Sequence, residues 1–240
     1  MKYSVIQEQR FKIMLAIARE MAKEDAVLKG GTALLLCYGL DRFSEDMDFD
    51  GGTRFSLERA KKLISKAFET INTKVTQIIV KKDTPTTKRF MYHYEVDGNI
   101  PYAYPLKIEF SFRQSKELSG YTMLNGVKVY PLDILAEKKL DALLERTAPR
   151  DIYDIAFLLE HNLEVFGYID LESITHLGMD LLVNTFEGEK QSDSLLVDID
   201  GNELVLNMLD NAIQQMRVIE QNFENTQQDN VDKKEQDYEM

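Results

Sequence analysis

One cysteine and three histidines are all that this chain offers to soft metals or redox chemistry. Cys37 lies inside the apolar run TALLLCYG, where a buried free thiol is expected. Nothing in that usage calls for an oxidising compartment, so the cytoplasm is the expected location. His93, His161 and His176 are too scattered for a zinc site. No apolar run approaches the ~20 residues needed to span a bilayer, so no membrane role is expected. The opening stretch MKYSVIQEQRFKIMLAIARE mixes charges through its apolar positions and does not read as a signal peptide. There is no internal repeat. DIDGNE, at Asp198 to Glu203, has its glycine too early for a calcium loop and lacks the later bidentate glutamate, so it is expected to be a turn.

What is present is an ordinary globular composition, 44% hydrophobic and 29% charged, over 240 residues. That length allows one large domain or two small ones. The net charge of −12 is unevenly spread. Glu160 to Met240 holds 19 acidic and 4 basic residues, whereas the first 159 residues hold 22 acidic and 25 basic. The acidity therefore belongs to the C-terminal third. It excludes a generally basic nucleic-acid coat but not an anionic substrate, because steering follows the local field.

Periodicity predicts helices over Ile6–Lys23 and Leu57–Thr70, the second capped by Ser56, with a short helix opening at Thr32 as N-cap. AVLKGG, DMDFD, KVTQIIVKK, RFMYHYEV and YPLKIEFSF read as strands, and Asn125-Gly126 as a hairpin turn before VKVYP. After Pro131 the pattern turns helical: LDILAEKKLDALLER, RDIYDIAFLLEHN, then Leu171–Asn184 and Glu203–Gln221. The expected organisation is an α/β domain over 1–130, a helical domain over 131–222, and a disordered polar tail over 223–240.

Chemistry concentrates in FSEDMDFDGG, where alternation turns Asp46, Asp48 and Asp50 to one face of a strand and Met47 and Phe49 to the other. Carboxylates this close repel one another unless a cation sits among them, and hard oxygen ligands suit Mg²⁺. YPLKIEFSF alternates likewise, with Lys107, Glu109 and Ser111 opposite Leu106, Ile108 and Phe110, so Glu109 is a candidate third carboxylate. Three carboxylates can hold two metal ions for phosphoryl chemistry. Gly30-Gly31 before Thr32 places bare backbone at a helix start, where N–H groups bind phosphate oxygens. Lys61-Lys62, Lys81-Lys82 and Lys88-Arg89 either bracket an RNA backbone or are solvated surface charges.

A strand, GGT, a short helix, a DxD strand and a later single acid resemble the DNA polymerase β-like nucleotidyltransferases, with Thr32 where serine is commoner. LKGGTALLLCYGLDRFSEDMDFD, followed by EKKLDALLERTAPRDIYDIAFLL, resembles one branch in particular, the AbiEii/AbiGii toxin family of nucleotidyltransferases. The resemblance covers Val27 to Leu159. It implies an α+β fold: a polymerase β-like mixed sheet with flanking helices, followed by a C-terminal helical bundle that forms the other wall of a cleft.

By that resemblance Asp46, Asp48 and Glu109 would ligate Mg²⁺, with two ions possible, and NTP would be the substrate. Gly30, Gly31 and Thr32 would meet the triphosphate, with Arg42 and Ser44 beside them, although Arg42 also reads as a solvated turn charge. Lys139 would neutralise phosphate, with Lys138 adjacent as the alternative, and would share a helical face with Ala142 or Leu143 and Arg146. Asp154, one turn from Asp151, would position the lysine or the nucleotide. The implied activity is transfer of NMP to an acceptor hydroxyl, tRNA first, by a bacterial toxin of a toxin–antitoxin or phage-defence pair whose antitoxin need not touch it. A protein or small-molecule acceptor is the enzymatic alternative. A catalytically silent nucleotide-binding regulator, or an interaction module in the acidic third, is the non-enzymatic one.

Overall fold

The computed structural model describes residues 4–96, 100–101, 105–113, 118–192 and 196–238. Tyr104, the first residue of one expected strand, and the last two residues of the expected tail lie outside these. The described chain forms two units, Met1–Leu135 and Ala136–Met240.

In the first unit, helix α1 (Val5–Met21) starts at a Ser4–Gln7 capping box and leads into β1 (Ala26–Lys29), α2 (Gly30–Cys37), β2 (Asp46–Gly51) and α3 (Leu57–Thr70). Strands β3 (Val75–Thr84), β4 (Thr87–Val96), β5 (Ile100–Pro101), β6 (Leu106–Ser111), β7 (Thr122–Leu124) and β8 (Val127–Val129) complete it. The sheet is mixed, in the order β3-β4-β6-β2-β1-β8-β7, with β5 pairing β4. Pairings β2–β6 and β1–β8 are parallel and the rest antiparallel.

Alternation along β2 and β6 sorts the two faces. Met47, Phe49, Ile108 and Phe110 are fully buried on one, with Phe49 and Phe110 stacked at 5.4 Å. Phe68 of α3 stacks on Tyr92 of β4 at 5.8 Å, and α1 packs along α3. This one-sided core frees the opposite face of the central strands for polar residues.

The second unit contains most of α4 (Leu132–Arg146), then α5 (Pro149–His161), α6 (Tyr168–His176), α7 (Met179–Glu189) and α8 (Gly201–Tyr238). Where one helix was expected over Leu171–Asn184 there are two. Gly178, at φ +75°, breaks the run because only a residue without Cβ adopts that conformation readily. DIDGNE is a turn that ends as a cap, Asp200 Oδ1 accepting from the N–H groups of Asn202 (2.8 Å) and Glu203 (3.2 Å). The expected disordered tail is helical through Tyr238 instead. With the helix already nucleated, a stretch of Gln, Glu, Asp and Lys without Gly or Pro adds turns at little cost.

Candidate active site

The first unit gathers the candidate residues where β1 passes into α2. Gly30 sits at φ +75°, and a Cβ there would lie 3.3 Å from Asp48 Oδ2, so the glycine turn runs directly against that carboxylate. The helix begins at Gly30 rather than after Thr32, because the glycines accept a turn that a bulkier pair would resist. Its capping residue, Lys29, makes no side-chain hydrogen bond to the first turn. Thr32, expected as the cap, is buried within that turn. Its hydroxyl lies 2.8 Å from Ser44 Oγ and donates to the Asp46 carbonyl, clamping α2 to the start of β2.

Strands β2 and β6 run parallel in a register that sets Asp46 opposite Lys107 and Asp48 opposite Glu109. Asp46 pairs with Lys107 at 2.5 Å, and Glu109 with Arg89 of β4 at 2.5 Å. Burial holds the Asp48 carboxyl above its ordinary range. Lys107 and Lys29 oppose that shift, and the negative charges of Asp46 and Glu109 add to it. Asp50, expected to share this face as a third aspartate, has its carboxylate committed elsewhere: Lys29 reaches it at 2.5 Å and the Tyr130 hydroxyl donates to it at 3.0 Å.

Among the described residues no three His, Cys, Asp or Glu side chains converge as ready metal ligands. Lys107 and Arg89 hold two of the three carboxylates in ion pairs. The donor chemistry still fits a hard divalent cation. All three donors are oxygens, and the central one, pushed up by burial and by its two acidic neighbours, gains from an added cation.

Arg42 and Ser44 are buried beneath the glycine turn, which excludes the solvated-charge reading of Arg42. A Cβ on Gly31 would come within 2.9 Å of Arg42 Nη2 and 3.2 Å of Ser44 Oγ, and Arg42 donates to the Phe43 carbonyl at 3.0 Å. The sequence reading missed Arg10. Fully buried on α1, it donates to the carbonyls of Glu45 (2.6 Å) and Pro105 (3.3 Å), the residues just before β2 and β6. It thus sets the entry of both carboxylate strands, and a cation on the buried stripe of α1 was the only signal of it.

The second unit carries its own polar cluster. Lys139 of α4 reaches Asp154 of α5 at 2.5 Å and Asp151 at 3.4 Å, with both aspartates fully buried. Arg146 holds Asp151 through two bonds, Nε at 2.7 Å and Nη2 at 3.0 Å. Lys139, not Lys138, is the buried lysine of the pair.

No curated protein sequence matches this chain. Two solved structures resemble it over nearly their whole lengths. JHP933 from Helicobacter pylori is 28% identical with a TM-score of 0.83, the match covering 93% of this chain and 97% of that one. A second H. pylori protein, provisionally assigned as a nucleotidyltransferase, is 30% identical with a TM-score of 0.80 over 91% and 98%. The profile described as nucleotidyl transferase AbiEii toxin, type IV TA system, matches residues 12–237. The glycine turn, the opposed carboxylates and the charged α4–α5 pair thus lie in a chain that belongs to the AbiEii toxin family of nucleotidyltransferases.

Proposed function

We propose that this nucleotidyltransferase moves NMP from an NTP to a hydroxyl of a tRNA acceptor, with Mg²⁺ at Asp46, Asp48 and Glu109. The observation that carries this reading is the register of β2 on β6, which sets Asp48 opposite Glu109 with the Gly30 turn against Asp48. Divalent metal there supplies charge neutralisation for the departing pyrophosphate and acidity for the attacking hydroxyl. The chain's own residues do the rest. Backbone N–H groups of the α2 first turn receive phosphate oxygens. Thr32, Ser44 and Arg42 hold that turn rigid from below, rather than contacting phosphate through the Thr32 hydroxyl.

Lys139 is assigned to phosphate charge, and Asp154 to holding that lysine. Its short ion pair with Asp154 supports the assignment. Arg146 acts through Asp151, which it clamps. The cell context is the cytoplasm. No described helix is long and apolar enough to cross a membrane. The antitoxin is proposed to counter the reaction without binding the chain.

Pyrophosphate release tests the reading, using each NTP with Mg²⁺ and total bacterial RNA. Release that needs RNA and is lost in Asp48→Asn supports it. Release that is equal in the variant places the chemistry elsewhere.

A further inference from the structure

The site row continues past the carboxylates. Register pairs Lys29 with Asp48, Asp48 with Glu109, Glu109 with Arg89, and Arg89 with Lys82, crossing β1, β2, β6, β4 and β3 in sequence. Residues directly opposite on paired strands project from the same face. At about 4.8 Å per strand, Lys82 stands roughly 14 Å from Asp48, on the side away from the glycine turn. Lys82 is half-buried and makes no ion pair or hydrogen bond among the described residues. A register shift between Val80 and Lys82 brings the exposed Lys81 next to it. The neighbouring row, Asp46–Lys107–Met91–Ile79, ends in two half-buried apolar side chains alongside these cations.

We propose that Lys82, Lys81 and Arg89 form the acceptor track. The phosphates of a single-stranded nucleic-acid end lie along the cations of β4 and β3, and its bases rest on Met91 and Ile79. This deepens the transfer reading and rests on it. In-line displacement brings the acceptor from the side opposite the leaving pyrophosphate. The glycine turn occupies the β1 side of the carboxylates, so the acceptor approaches over β6, β4 and β3. Cations beside an apolar strip complement a polynucleotide, which carries a phosphate at every step and a flat apolar face between. Arg89 has two partners in this scheme: Glu109 in the free chain and an acceptor phosphate when the nucleic acid is bound.

Binding of total tRNA to the full chain, without NTP, tests the track across a salt series. Lys82→Ala should lower the slope of log affinity against log salt by about 0.7, one single-strand phosphate contact. Lys82→Glu should weaken binding further. Lys61→Glu is the matched control, since Lys61 lies over the Phe90 ring on the opposite face. An unchanged slope in Lys82→Ala overturns the proposal, as does equal weakening by Lys61→Glu. Wild type that binds no tRNA overturns it too, and leaves a protein acceptor. Because no NTP is present, these outcomes are separate from pyrophosphate release, which judges the transfer reading itself.

Discussion

Removing the Asp154 carboxylate should be among the most damaging single changes in the helical unit. Asp154 is 0% exposed and the Lys139 side chain 11%, so Asp154→Ala leaves an ammonium with little water to replace its partner. Breaking such a pair from one side costs about 3–5 kcal/mol. Asp151 remains 3.4 Å from the lysine, which puts the expected loss at the lower end, about 3 kcal/mol. With a urea dependence of about 2–3 kcal/mol per M, the midpoint should fall by about 1 M or more. The double variant Lys139→Met, Asp154→Leu removes both charges and should regain most of that loss. It should nevertheless stay inactive in NMP transfer if Lys139 serves phosphate. A shift under about 0.5 M in Asp154→Ala would refute the burial argument. Full transfer by the stable double variant would refute the assignment of Lys139.

Other outcomes follow from the first unit. A carboxyl whose pKa is higher folded than unfolded binds protons more tightly folded, so it destabilises above its folded pKa and costs nothing below its unfolded one. Asp48→Asn should therefore raise the denaturation midpoint at neutral pH, with the gain vanishing as pH falls below about 4; a gain that grows on acidification contradicts this. Gly31→Ala forces Arg42 or Ser44 aside and should cost about 1–3 kcal/mol, read by thermal denaturation, together with weaker Mg²⁺-dependent NTP binding. Cys37 is half-buried, and burial raises its thiol from 9.0 to about 11. Alkylation at neutral pH should run about 100-fold slower than in urea, and equal rates would show an accessible thiol.

Local rules made much of the site legible. Alternation in DMDFD and YPLKIEFSF placed Asp46, Asp48 and Glu109 on polar faces, and the glycine pair marked the turn that runs against Asp48. What they could not supply was who stands across from whom. Asp50 shares the alternation of Asp46 and Asp48, but Tyr130, distant in sequence, takes its carboxylate. Arg89 meets Glu109 only through the β4–β6 register, which long-range packing sets. Arg10 has its partners, the Glu45 and Pro105 carbonyls, 35 and 95 residues away, where no local pattern points to them. The tail misled for a different reason. Polarity reports the lack of a core to bury against, whereas extension of an existing helix depends on backbone propensity.

If the β2–β6 carboxylates carry nucleotidyl transfer, removing them abolishes it. The most direct measurement follows label from the α-phosphate of each NTP, with Mg²⁺, into total bacterial RNA and protein. The Asp46→Ala, Asp48→Ala double variant runs alongside, checked for folding. Label should enter a tRNA-sized band with wild type and be absent with the variant. Equal labelling by the folded variant would show that these carboxylates do not carry the transfer.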